Sequence, residues 1–302
     1  MSTLSQLQSK FTIPQIVHFD AGEGGLTRII VTTGAAEAHI YLQGGHVWHY
    51  QPEGQIPVLS ANTKSWFEPG KPIRGGVPVC FPWFGQRADD PQAPNHGFAR
   101  LDPWQVESVT QTGADQVEIT LAFFAEHKTQ EQWPHKFELR HRVTIGPSLA
   151  MELLTRNIDS SPFTYEQALH TYFSVSDVRN VKVHGLENTF YLDKGDVDQP
   201  IQQPSTPLIF TSETDRVYIN TEATCILEDP GSHRKIVIEK SGSNTTVVWN
   251  PWLDKARDMP DFPDDQWPGM LCIETCAAKD DAVTLQPGQE HILRAHIKTI
   301  PS

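Results

Sequence analysis

Two runs of alternating residues constrain the fold of this chain more than any other feature. From Gln116 to Phe124, the apolar residues Val117, Ile119, Leu121 and Phe123 occupy every second position. From Phe137 to Ile145, Phe137, Leu139, Val143 and Ile145 alternate with Glu138, Arg140, Arg142 and Thr144. Successive side chains of a strand point to opposite faces, so a period of two describes half-buried antiparallel strands. Leu149 to Arg156 continues the pattern beyond Gly146-Pro147, a turn-forming pair, and three strands so closely joined form a meander. Two more strands are expected over residues 26–32 and 37–43, joined at Gly34, with another from His46 to Tyr50. The pattern also predicts strands at 164–169, 181–183, 216–219, 224–228, 235–239, 245–249, 270–275 and 292–299. No window carries a sustained helical stripe, and Asp254 to Pro268, rich in Asp and Pro, reads as a long surface loop. Many short strands punctuated by Gly, Pro, Asn and Asp predict an all-β fold, a large antiparallel β-sandwich. With no internal repeat or linker, residues 1–302 are expected to form a single domain.

Charge and cysteine usage narrow the partners. A formal net charge of −13 argues against general binding to nucleic acid or to an anionic membrane, but a small anionic substrate needs only a local cationic pocket. Met1 to Phe11 lacks an apolar signal core, and no run of apolar residues is long enough to span a bilayer. Cys80, Cys225, Cys272 and Cys276 are too few and too scattered for a disulfide framework and read as core thiols of a cytosolic protein. A monomer that contacts neither nucleic acid nor membrane is expected.

A second kind of segment runs from Lys71 to Arg100. It holds Pro72, Pro78, Pro82, Pro91 and Pro94 together with Gly75, Gly76, Gly85 and Gly97, so it can be neither a long helix nor a central strand. Val77, Val79, Phe81, Trp83, Phe84 and Phe98 nevertheless give it apolar weight. A stiff, buried, irregular stretch carrying Arg74, Arg87, His96 and Arg100 suits either the floor of a site or a loop that packs a sandwich edge.

Elsewhere three residues bear on chemistry. Glu274 is a carboxylate inside an apolar strand, and such a group is partnered, functional, or turned to solvent from an edge. His170 is either a core histidine bonded to a carbonyl or a reactive group. Asp215 opens a strand, where a turn carboxylate is common. His46 and His49 lie three apart, which puts them on opposite faces of a strand and makes a poor chelate, so no metal site is expected.

The run Ile-Arg-Gly-Gly-Val-Pro-Val-Cys-Phe-Pro-Trp-Phe-Gly, followed by His-Gly-Phe-Ala-Arg, resembles the signature of the aldose 1-epimerase (mutarotase) superfamily, and within it the hexose-6-phosphate mutarotases. The likeness continues around His170, Asp215 and Glu274 and spans the chain from about Gly25 onward. It implies a galactose mutarotase-like supersandwich that interconverts the α and β anomers of a hexose 6-phosphate, glucose 6-phosphate above all. The alternatives are a mutarotase for unphosphorylated aldoses and a carbohydrate-binding sandwich without turnover. By resemblance Glu274 is the general base and His170 the general acid, with Glu274 ionised and His170 protonated in the starting complex. His96 and Asp215 would contact the sugar. No metal or other cofactor is implied. Arg74 and Arg100 are the candidate phosphate ligands, since a guanidinium fork fits phosphate oxygens; Lys71 and Arg87 are weaker candidates. Trp83, Phe84, Trp249 and Trp252 could face the sugar, but core packing is the better account of most of them.

Overall fold

The alternating strands bury one face each, and the architecture follows from where those faces meet. A computed structural model describes residues 2–87, 89–194 and 199–302. One eight-stranded antiparallel sheet runs in the order Lys182–His184, Cys225–Asp229, Arg234–Ser241, Glu290–Pro301, Leu149–Asn157, Phe137–Ile145, Gln116–Phe124 and Gln105–Gly113. The expected meander is its last part, with Gln116–Phe124 and Phe137–Ile145 bounded as the sequence predicts. Phe137, Leu139, Val143 and Ile145 are fully buried. So is His141, which continues the inward series and whose Nδ1 lies 2.9 Å from the Gly45 carbonyl.

A second eight-stranded sheet carries the chemistry-bearing residues. Its path is Ile201–Gln202, Phe190–Asp193, Thr214–Ile219, Thr245–Asn250, Met270–Ala277, Gln167–Leu169 and Val79–Cys80, and Tyr172–Ser174 also pairs with Met270–Ala277. Every residue of Met270–Ala277 is buried, on both faces. Leu271, Ile273 and Ala277 join the hydrophobic cluster to which both large sheets contribute. On the opposite face Cys276 packs with Cys80, Ala168, Leu192, Val217 and Val247 in a second, smaller cluster. Burying each large aliphatic side chain stabilises the fold by about 1.5–3 kcal/mol, and the first cluster holds dozens. Gln167 links the two sheets, accepting from Thr155 at 3.0 Å and meeting His291 at 2.9 Å. A four-stranded sheet, Val17–Ala21, Thr27–Thr32, Ala36–Tyr41 and His46–Pro52, covers one end. All four cysteines are free and buried.

The structure departs from the sequence reading in its helices. Leu4–Phe11 is helical, started by a capping box in which Thr3 and Gln6 satisfy each other's backbone groups. Trp252–Asp258 is helical too, so the expected surface loop at 254–268 begins as a helix and then turns inward to bury Asp261 and Phe262. The reason lies outside the segment: Asp261 meets Arg74, and its carbonyl accepts from Asn62. No helix among the described residues is long and apolar enough to cross a membrane.

Gly97 shows how tightly the Pro/Gly stretch is folded. Its φ is +73°, and a Cβ there would lie 1.9 Å from the Phe81 carbonyl oxygen. Gly97→Ala is therefore expected to cost more than about 2 kcal/mol through strain and clash together. Chemical denaturation checks this; a loss under about 0.5 kcal/mol would contradict the packing described.

Candidate active site

Strand register brings the two chemistry-bearing residues together. Met270–Ala277 pairs with Gln167–Leu169 through Leu169 and Thr275, and with Tyr172–Ser174 through Tyr172 and Cys272. Two residues lie between: Thr171 falls opposite Ile273, whose amide it accepts from, and His170 opposite Glu274, which pairs on its other side with Val247. The chain kinks locally: the His170 amide donates to the Pro78 carbonyl at 3.0 Å, and the Thr171 amide to the Leu169 carbonyl at 3.0 Å. The outcome is a His170 Nε2 to Glu274 Oε1 distance of 3.3 Å. Glu274 is only 2% exposed, and its Oε2 and the His170 Nδ1 have no partner among the described residues.

The pair lies at the floor of a cavity of about 520 Å³, within the range of small-molecule sites. Val217 and Val247 supply an apolar base, and Phe84 and Trp249 supply aromatic faces. Arg74, His96 and Asp215 also line it. Five of the six residues expected from sequence thus share one cavity. Arg100 does not line it; its guanidinium reaches the Asn95 carbonyl at 2.5 Å, and its Nε is buried without a partner among the described residues. Arg74 faces the cavity, but its Nε donates to Asp261 at 2.9 Å and its NH1 to the Tyr172 hydroxyl at 3.3 Å. The two arginines accordingly do not meet at one point of the cavity. Arg87 pairs with Asp89 and Lys71 with Glu68, both away from the lining. Trp83 is buried and donates to the Pro94 carbonyl, and Trp252 packs on Trp267.

His96 is held in one tautomer. The Gly85 amide donates to its Nδ1 at 3.2 Å, so in the neutral ring Nε2 carries the hydrogen and donates. The His96 amide returns a bond to the Gly85 carbonyl at 2.8 Å, which locks the two limbs of the loop together. His96 lies edge-on to His170, with ring centroids 5.5 Å apart, and Tyr172 stacks on the other side of His170 at 4.9 Å.

Sequence reasoning did not find Tyr172, Asp261, Glu166, Lys194, Lys255 or Lys279. Lys194, Lys255 and Lys279 line the cavity from three different segments. Glu166 ties together two of its walls, accepting from the Phe84 amide at 2.9 Å and from the Lys279 amide at 2.7 Å. Only Tyr172, two residues from His170 in the same strand pattern, carried any signal.

Burial sets the protons of the pair. It pushes Glu274 well above the ordinary carboxylate value, helped by Asp215, while Arg100 opposes the shift. It pushes His170 down to about 3, reinforced by Arg100 and Arg74. Both shifts favour the neutral forms, with a proton held by Glu274 and none added to His170. The sequence reading expected the opposite sense for the starting complex; low-dielectric surroundings disfavour two charges as long as no ligand compensates them. Burial likewise pushes His96 well below its usual value. The donor atoms of His170, Cys272 and Glu274 lie within 4.8 Å of one another, a set able to hold a soft divalent ion that the spacing of His46 and His49 gave no reason to expect.

Comparison with known proteins bears on the same residues. The aldose 1-epimerase family model matches residues 27–298. A protein of Cenchrus ciliaris named "putative glucose-6-phosphate 1-epimerase" is 37% identical over 273 residues, covering 88% of this chain and 82% of its own. One of the same name from Salmonella typhimurium is 34% identical over 253 residues, 84% of each chain. A crystal structure of a "putative mutarotase" from Salmonella typhimurium superposes with a TM-score of 0.88 at 30% identity, over 97% of this chain and 96% of that one.

The proton assignment is open to direct measurement. In an NMR titration of the unliganded protein, the His170 ring is expected to stay neutral between about pH 5 and 8, since a depressed pKa leaves the neutral form dominant above it. An inflection near the ordinary value of 6.5 would contradict the burial argument.

Proposed function

Since the chain belongs to the aldose 1-epimerase family, we propose that it interconverts the α and β anomers of a hexose 6-phosphate, with glucose 6-phosphate the foremost substrate. The observation that carries this reading is the 3.3 Å approach of His170 Nε2 to Glu274 Oε1 at the floor of a cavity with cationic groups on its walls. The names of the relatives in Cenchrus ciliaris and Salmonella typhimurium support the phosphosugar over a free aldose.

The chemistry follows from one shared proton. When the sugar's C1 hydroxyl approaches Glu274 and its ring oxygen approaches His170, the proton passes from the carboxyl to the imidazole. Polar groups of the ligand then compensate both charges. Glu274 takes the proton of the C1 hydroxyl as His170 gives its own to the ring oxygen. The bond between C1 and the ring oxygen breaks, the C1 carbonyl forms, and the pair returns to its neutral resting state. Rotation about C1–C2 presents the other face of the aldehyde, and the same steps in reverse close the ring. No electron leaves the substrate, and the acid and base alone balance the reaction. Each such positioned group contributes about 10²- to 10⁴-fold.

The remaining residues bind and orient. His96 donates from Nε2 toward the ring oxygen or a neighbouring hydroxyl. Asp215, whose carboxyl burial pushes upward while Lys255 opposes it, accepts from a hydroxyl on the far side. Arg74, steadied by Asp261, covers the side of Tyr172. Arg100 acts from behind the wall, where its charge favours the ionised form of Glu274.

Glu274→Gln is expected to keep the fold and lower turnover at least about 10²-fold, because the amide is nearly isosteric but a very poor base. Anomer exchange measured by NMR on glucose 6-phosphate checks this, and a near-wild-type rate would remove Glu274 from the reaction. His170→Asn should cost as much, and the double variant far less than the product of the two losses, since acid and base act as a unit. Multiplicative losses would show that they serve separate steps.

A chelator bears on the His170, Cys272 and Glu274 set. Treatment with EDTA is expected to leave the rate unchanged, because the acid–base route engages no metal. A loss restored by a divalent ion would assign those donors to a resident metal.

A further inference from the structure

The two arginines that sequence singled out leave the substrate phosphate without an obvious cation. Arg74 is already balanced by Asp261, and Arg100 lies outside the cavity lining. The cations that face the cavity otherwise are lysines. Lys194, whose amide donates to the Asp215 carbonyl at 2.7 Å, belongs to the Thr214–Ile219 side of the sheet, on the other side of Met270–Ala277 from Gln167–Leu169, and Lys255 is shared with Glu213 at 3.8 Å. Lys279 forms no ion pair among the described residues, and its neighbour Asp281 is engaged by Asn244.

The backbone at Lys279 is unusual. Its φ is +59°, a left-handed conformation that residues with a Cβ rarely adopt. Glycine or asparagine would hold it more cheaply, and such outliers gather where the surroundings over-determine a position. The surroundings here are specific: Glu166 grips the Lys279 amide with one carboxylate oxygen and the Phe84 amide with the other. Lys279 is thereby fixed against the wall formed by Phe84, Gly85 and His96. His96 and His170 are in edge contact at that wall, so a ring oxygen at His170 places the adjoining C5–C6 arm beside it.

We infer that Lys279 reads the 6-phosphate, making this lysine, and not an arginine pair, the residue that selects a phosphosugar over a free aldose. The inference rests on the phosphosugar reading given above. An ammonium with no fixed carboxylate partner can turn its donors to a phosphate without first surrendering an ion pair. Its position at the open side of the cavity also suits a dianion that stays partly hydrated.

The test compares kcat/KM for anomerisation of glucose 6-phosphate and of glucose in the wild type, Lys279→Met, Lys279→Arg and Arg74→Ala. Lys279→Met is expected to lower the value for glucose 6-phosphate by ~10- to 100-fold more than that for glucose, chiefly through KM. Lys279→Arg should restore most of the difference, and Arg74→Ala should affect both substrates together. Because the Lys279 side chain is exposed, the methionine variant is expected to fold, and circular dichroism with a thermal melt confirms that separately. If Lys279→Met leaves the substrate ratio where it was while the wild type prefers the phosphosugar, the lysine assignment is overturned and the 6-phosphate reading stands. If the wild type itself treats the two sugars alike, both fall. A selective loss in Arg74→Ala instead of Lys279→Met would return the phosphate to the arginine.

Discussion

A carboxylate buried in the middle of a strand is the constraint to which the rest of the site answers. Glu274 occupies the centre of Met270–Ala277, where hydrogen-bonded neighbours on both sides leave its side chain little freedom. An unpaired carboxylate in such a place costs several kcal/mol or takes up a proton. Antiparallel register answers part of this by placing His170 opposite it, and a cavity answers the rest by giving the second oxygen access to ligand. A shift of one residue in that register would turn Glu274 into the apolar core and bring Ile273 or Thr275 to the cavity. Fold and chemistry are therefore specified by the same hydrogen-bond ladder.

The strands were legible because their faces differ in polarity. Phe137–Ile145 could be placed to the residue because Glu138, Arg140 and Arg142 alternate with buried apolar groups. The helix at Leu4–Phe11 was missed because it is short and buries only Leu7, which leaves no stripe to detect. The inward turn near Asp261 was illegible for a different reason: its cause is Arg74, nearly two hundred positions away in sequence. Glu274, His170, His96 and Asp215 were found through a resemblance, and the residues alone left each of them open. Lys279, an ordinary lysine after a strand, acquires its meaning only from the tertiary positions of Glu166 and the Phe84 wall.

Charge is distributed against the overall sign of the chain. With a net charge of −13, the protein as a whole repels a phosphate at long range. Screening confines that repulsion to about 10 Å at moderate ionic strength, so the local environment decides. Around the cavity the balance is reversed: Arg74, Lys194, Lys255 and Lys279 face it, with Arg100 behind. Of these, Arg100 and Arg74 depress His170 further, and Arg100 partly offsets the upward push on Glu274.

The irregular stretch from Lys71 to Arg100 is the counterpart of the regular strand opposite it. A ladder can fix residues along a sheet, but it cannot bring a side chain down from above onto the same point. That requires backbone in conformations a strand does not visit. Three non-glycine residues that line the cavity have positive φ, His96 at +61°, Lys279 at +59° and Lys194 at +50°. Hydrogen bonds hold each of them, His96 through Gly85, Lys279 through Glu166 and Lys194 through the Asp215 carbonyl. These left-handed residues would relax if those bonds were lost, so the bonds convert local strain into position. In the proposed reaction the rigid sheet thus sets where the proton moves, and the strained loops set which ligand is held above it.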